Sequence, residues 1–438
     1  MAEEPREDPQ NPFKGTPLEG LFGQMGGGQF DLGQMMSQMQ RMFEPHEGTV
    51  NYRLAADVAR HAVAAAGEDP SPHTGQTGAV ADAQRLAEMW LDRVTDLPAG
   101  ATSAAAWSRA EWVEHTMDTW RVMVEPVAQH VVASMEDAIP PEAKAMAGPL
   151  VGMLNQAGGA MFGQQVGSAI GALATEVLSS TEVGLPLGPE HTAALLPHNI
   201  TALAEGLEAT QADVLLYVML RESAHHRLYA RATWLRAAVL GAIEDFARGI
   251  RIDVAAIEEQ MRSVDPSNPQ AMQEALSGGL FDPRPTPEQE RAKERLELLL
   301  ALVEGWVDEV VAQATADVMP AAGALAEAFR RRRASGGPAE ETFATLVGLE
   351  LRPRRLRDAA NLWSALRDRR GAEARDTVWS HPDLLPTSAD LDDPLGFCDK
   401  QTGALSDADF DAALQQLLSS DEPRDGESGD EPGTDDAR

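Results

Sequence analysis

The residues of this chain best suited to bond chemistry lie in one stretch, Arg221-Glu222-Ser223-Ala224-His225-His226. Two histidines one helical turn apart share a face and can hold a metal ion, and a glutamate beside the first can polarise a metal-bound water; this is the logic of H-E-x-x-H. Here Glu222 stands at the base position and His225 at the second ligand position, but Arg221 occupies the first. A guanidinium stays protonated and only donates hydrogen bonds, so Arg221 is a degenerate ligand position.

A metal site built on Glu222 and His225 needs a further carboxylate from a later helix. Two candidates exist. Glu244 lies nineteen positions after His225, in Gly241-Ala242-Ile243-Glu244. Glu304 lies in Val303-Glu304-Gly305-Trp306-Val307-Asp308, where Gly305 permits close approach and Asp308, one turn on, can orient a ligand from behind. The E-x-x-x-D spacing favours Glu304. Adjacent helical residues diverge by about 100 degrees, so His226 faces other surroundings than His225, and its plain reading is an i,i+4 partner of Glu222. The alternative reading of the cluster is structural: the Arg221 guanidinium replaces a metal electrostatically, compensating Glu222 and Glu304 in a salt-bridged core.

These residues must be carried on helices. Ala and Leu dominate and alternating Val-Ile-Thr runs are scarce, so the pattern predicts a mainly α protein with little or no β structure. Helical patterns run at about 48–66, 79–95, 103–138, 210–229, 234–250, 288–318, 320–333, 338–349 and 354–369. Thr286 or a neighbour is placed to cap the helix that carries Glu304, with Pro287 in its first turn. Residues 145–175 carry no charge and repeat glycine at Gly159, Gly163, Gly167 and Gly171, a spacing that lets another helix approach closely. Polar residues such as Asn155, Gln164 and Ser168 interrupt that run, which favours a buried central helix over a membrane span. Thr181 to Leu187 breaks the helix and can supply a short extended segment.

Three regions follow. Residues 1–44 form an arm rich in Pro, Gly and acids, with a Met-rich helix that sets Met35, Met39, Met42 and Phe43 on one face. Residues 45–400 make the helical domain, and 401–438 end in a tail with eight acids and two arginines after Ser419. Acids outnumber bases by 69 to 36, for a net charge of −33, which argues against nucleic-acid binding. The basic exception is Arg330 to Arg333 with Arg352, Arg354, Arg355 and Arg357, read here as helix-terminal arginines paired with acids. One cysteine, Cys398, excludes an internal disulfide, and the acidic N-terminus lacks the pattern of a signal peptide; both point to the cytoplasm.

With Arg330-Arg331-Arg332-Arg333-Ala334-Ser335-Gly336-Gly337-Pro338, Leu349-Glu350-Leu351-Arg352-Pro353-Arg354-Arg355-Leu356-Arg357 and Asp383-Leu384-Leu385-Pro386-Thr387 added to the two stretches above, the chain resembles a known family. It is similar, over roughly residues 45 to 400, to the actinobacterial zincin-like metallopeptidases of type 2, labelled hydrolases and sometimes associated with deazaflavin-coenzyme biosynthesis genes. The resemblance implies a zinc-dependent hydrolase of peptidase type, with Glu222 as general base, His225 and Glu304 as zinc ligands, Asp308 behind them, and a peptide or protein as substrate. The degenerate Arg221 sets a second expectation beside it: a noncatalytic pseudoenzyme or scaffold that binds a partner through the Met-rich arm or a helical groove.

Overall fold

The computed structural model describes residues 46, 48–137, 148–250, 286–334, 342, 344, 346 and 355–400. The Met-rich arm, the helix expected at 338–349, Arg352, Arg354 and the acidic tail lie essentially outside them.

In chain order the described elements are α1 (Tyr52–Ala66), α2 (Thr74–Leu91), β1 (Ser103–Ala106), α3 (Arg109–Asp137), α4 (Gly148–Ala174), β2 (Thr192–Leu195), α5 (Pro197–Ala204), α6 (Gln211–Arg231), α7 (Thr233–Arg248), α8 (Pro287–Thr315), α9 (Ala322–Ala334), α10 (Leu356–Thr377), α11 (Ser388–Asp392) and α12 (Pro394–Lys400). The protein is mainly α, as its composition predicts. The pattern expected as one helix over 103–138 divides: Ser103 to Ala106 extends and pairs in parallel with Thr192 to Leu195, and the helix starts only at Arg109. A run of three alanines carries no alternation, so nothing local marks β1 as a strand. The extended segment expected within 181–187 is instead a turn closed by the Gly184 amide on the Thr181 carbonyl, at 2.8 Å.

Within the uncharged stretch Gly148–Ala174 is helical, as expected, with its glycine side on α1, but it is not a buried central helix. A Cβ added at Gly163 would sit 2.6 Å from the Asn51 carbonyl oxygen, and one at Gly167 2.4 Å from that of Ala55, so the stripe sets the distance between the two backbones. The opposite face is open, with Met161 76% exposed, and no helix among the described residues is long and apolar enough to cross a membrane.

Helices α6 and α8 run through the interior and hold the candidate site between them. Thr210 caps α6 by accepting from the Asp213 amide, and every residue from Tyr217 to Leu228 is buried. Thr286 caps α8 in a reciprocal box with Gln289, and Pro287 opens its first turn. Two tryptophans then lock α8 in place: Trp363 donates to the Leu302 carbonyl at 2.9 Å and Trp306 donates to Asp376 at 3.0 Å. Between them Gly305 permits contact with α10, since a Cβ there would lie 2.6 Å from that of Ala359. Glu304 and Asp308 thereby face α6 from a helix with little freedom to shift.

Candidate functional site

Arg221, His225, Glu304 and Asp308 meet between α6 and α8. Arg221 donates from Nη2 to Glu304 Oε2 at 2.6 Å and from Nη1 to Asp308, with its side chain only 6% exposed. Its guanidinium also stands 5.7 Å from the centre of the Phe329 ring, which packs against Tyr217. Burial works against the charge on Arg221, but Asp308 and Glu304 outweigh it and raise the pKa. His225 Nδ1 faces the Arg221 carbonyl at 2.8 Å, and Nε2 faces Glu304 Oε1 at 3.0 Å. Both ring nitrogens thus meet acceptors within the protein.

A second arginine completes the cluster. Arg333, near the end of α9, places Nη2 2.6 Å from Glu304 Oε2 and Nη1 3.7 Å from Asp308 Oδ1. Burial alone would raise the Glu304 pKa; Arg333, His225 and Arg221 reverse that and hold it well below the ordinary range. Tyr229 closes the floor by donating to the Gly184 carbonyl at 2.8 Å, and a Cβ added at Gly184 would lie 3.4 Å from Glu304 Oε1.

Glu222 belongs to a different set of contacts. Being one residue on from Arg221, it turns toward the small sheet, where its side chain is completely buried. Oε1 accepts from the Ser180 hydroxyl, from the Ala194 amide at 3.2 Å, and faces His226 Nε2 at 3.3 Å. Oε2 accepts from the Thr181 amide at 3.1 Å and hydroxyl at 2.5 Å. Burial pushes its pKa up, yet the His226, Ser180 and Thr181 hydrogen bonds prevail and lower it from 4.5 to about 2. With five donor groups around two oxygens, this carboxylate ties α6 to β2 and to the loop residues Ser180 and Thr181 beside it.

The site therefore gathers Arg221, His225, Glu304 and Asp308 as the spacing suggested, and His226 pairs with Glu222 one turn away. Glu244 is not brought in: it lies on α7, half-exposed, paired with Arg248 at 2.9 Å. Two parts were missed by sequence reasoning. Arg333 was hidden in a run of four arginines, of which Arg330 and Arg331 do pair with Glu327 on their own helix. Ser180 and Thr181 carried no signal at all, because their role depends on a loop returning beside β2.

The donor set does not fit a catalytic zinc ion. Such an ion takes three protein ligands and keeps one open position. Here a guanidinium stands at one ligand position, two guanidiniums crowd the carboxylate at another, and the imidazole is spent on Glu304. Among the described residues no group of three or more His, Cys, Asp or Glu is arranged to hold a metal ion.

The profile of the zincin-like metallopeptidases matches residues 50–398. The chain belongs to this family. A crystal structure from Chloroflexus aurantiacus described as "a putative hydrolase with a novel fold" aligns with a TM-score of 0.56 at 18% identity, covering 81% of this chain and 99% of that one. At that identity the likeness is one of fold. No curated protein matches in sequence.

Proposed function

We propose that this member of the zincin-like metallopeptidase family is noncatalytic and acts by binding a protein or peptide partner, its former metal position being filled by Arg221. The observation that carries the reading is the buried fork of Arg221 on Glu304 and Asp308, which puts a fixed positive charge where a cation would bind. The saturation of Glu222 by five donors supports it, since a general base needs a lone pair turned toward the water it activates. The acidic composition and single buried cysteine suit a cytoplasmic protein that does not bind nucleic acid.

A second reading keeps the activity. Family membership and the convergence of His225 and Glu304 favour a zinc-dependent hydrolase with those two residues as ligands, Asp308 behind them and Glu222 as base. Zinc content of the tag-free protein, measured by plasma mass spectrometry beside His225→Ala, separates the two. The noncatalytic reading expects well under one zinc per chain in both proteins. One zinc per chain, lost in His225→Ala, overturns it and installs the second reading.

A further inference from the structure

We propose that Arg221 and Arg333 together stand in for a divalent cation, so that Arg333, reaching in from α9, is an independent barrier to metal binding and a latch that holds α9 on the core. The proposal rests on the reading of the site as metal-free, and adds what that reading leaves unassigned: a second guanidinium on the same carboxylate, beside Arg221 and His225. Glu304 and Asp308 present two carboxylates to the same small space, and Arg221 supplies one positive charge. Arg333 supplies a second, its Nη2 on the same Glu304 oxygen that Arg221 contacts, at the same 2.6 Å.

The two arginines are not equivalent. Arg221 is sealed between α6, Phe329 and α8, with 6% of its side chain exposed, whereas Arg333 is 20% exposed and sits at the end of α9. Arg221 is therefore part of the interior, and Arg333 is its removable complement. The neighbouring residue works the same way on the adjacent loop: Arg332 lies 3.7 Å from Glu182 and donates to the Glu176 carbonyl. The last turn of α9 thus docks through arginines on the segment 176–182 and on α8, while Phe329, one turn earlier, packs on Tyr217 of α6. This gives the arginine run a tertiary role beyond closing its helix.

A restored histidine would then be insufficient to restore a metal. In Arg221→His the imidazole joins His225 and Glu304, but Arg333 still holds Glu304 Oε2 and still repels a dication at contact range. Zinc affinity is measured by competition with a chelating dye for the full chain, R221H, R221H/R333M and R221H/R333K, with near-UV circular dichroism reporting the fold. We expect R221H/R333M to bind zinc on the order of 100-fold more tightly than R221H, since one nearby positive charge is removed, and R221H/R333K to stay close to R221H because the charge is kept. Equal affinities for R221H and R221H/R333M overturn the proposal, as does a folded R221H/R333M without zinc affinity. Zinc bound by the unsubstituted chain would instead sink the noncatalytic reading, which is a separate result. Should the double variant not fold, hydrogen exchange on R333M alone decides: amide exchange in α9 should rise on the order of tenfold as the latch is lost, and unchanged exchange there overturns the latch.

Discussion

Arg221→Met removes the buried guanidinium while keeping most of the side-chain volume, so its cost isolates the charge. The ion pair to Glu304 is 2.6 Å long and both side chains are under a tenth exposed. A unit pair at ~4 Å between charge centres is worth ~4 kcal/mol at an effective dielectric of about 20, and deleting one partner of a buried pair typically costs about 3–5 kcal/mol, because the other charge is stranded. Arg333 remains beside Glu304 and offsets part of that loss. The expected destabilisation is therefore about 3 kcal/mol, which for a domain of this length is a fall in Tm of roughly 3–4 °C. Urea unfolding followed by tryptophan fluorescence measures it, on Arg221→Met, Glu304→Gln and the double variant. Because the residues share one network, the double variant should lose about 1–2 kcal/mol less than the two single losses added together. A loss below about 1 kcal/mol for Arg221→Met, with strictly additive energies, would refute the buried-fork geometry.

Acid sensitivity should be traceable to Glu222. Its pKa is depressed to about 2 from 4.5, so its stabilisation is fully present above pH 4.5 and is lost as pH falls toward 2, amounting to about 3 kcal/mol. Urea midpoints taken between pH 6 and pH 2.5 should fall less steeply in Glu222→Gln than in the parent; parallel slopes would mean the carboxylate is not held by its donors. In α4, Gly167→Ala drives a Cβ to 2.4 Å from the Ala55 carbonyl oxygen and should cost about 1–3 kcal/mol in thermal unfolding. Gly241→Ala on α7 meets nothing within 4 Å and should stabilise by about 0.5–1 kcal/mol; a stabilising Gly167→Ala would contradict the close packing of α1 and α4.

Much of the site was written locally. The spacing Arg221 to His225 puts those two residues on one helical face whatever the fold, and E-x-x-x-D does the same for Glu304 and Asp308. The start of α8 was legible for the same reason: Thr286 and Gln289 satisfy each other's amides from only three positions apart, and Pro287 brings no amide that needs a partner. The glycine period in 159–171 announced a close neighbour, and α1 is that neighbour.

What the sequence alone determined, then, was which side chains share a helix face and that Arg221 can never ligate. Which helix supplies the opposing carboxylate was decided in three dimensions. Glu244 and Glu304 both lie on helices downstream of His225; the E-x-x-x-D spacing favoured Glu304, but it is the packing of α8 on α6, locked by Trp306, Trp363 and the bare Cα of Gly305, that brings Glu304 to Arg221 and His225. The same holds for the donors around Glu222. Ser180, Thr181 and the Ala194 amide are 42, 41 and 28 positions away, and a contact across such a distance leaves no periodic trace in the chain. Arg333 is the clearest case, since its long side chain pairs with whatever acid the fold brings within reach, and only the docking of α9 made that acid Glu304.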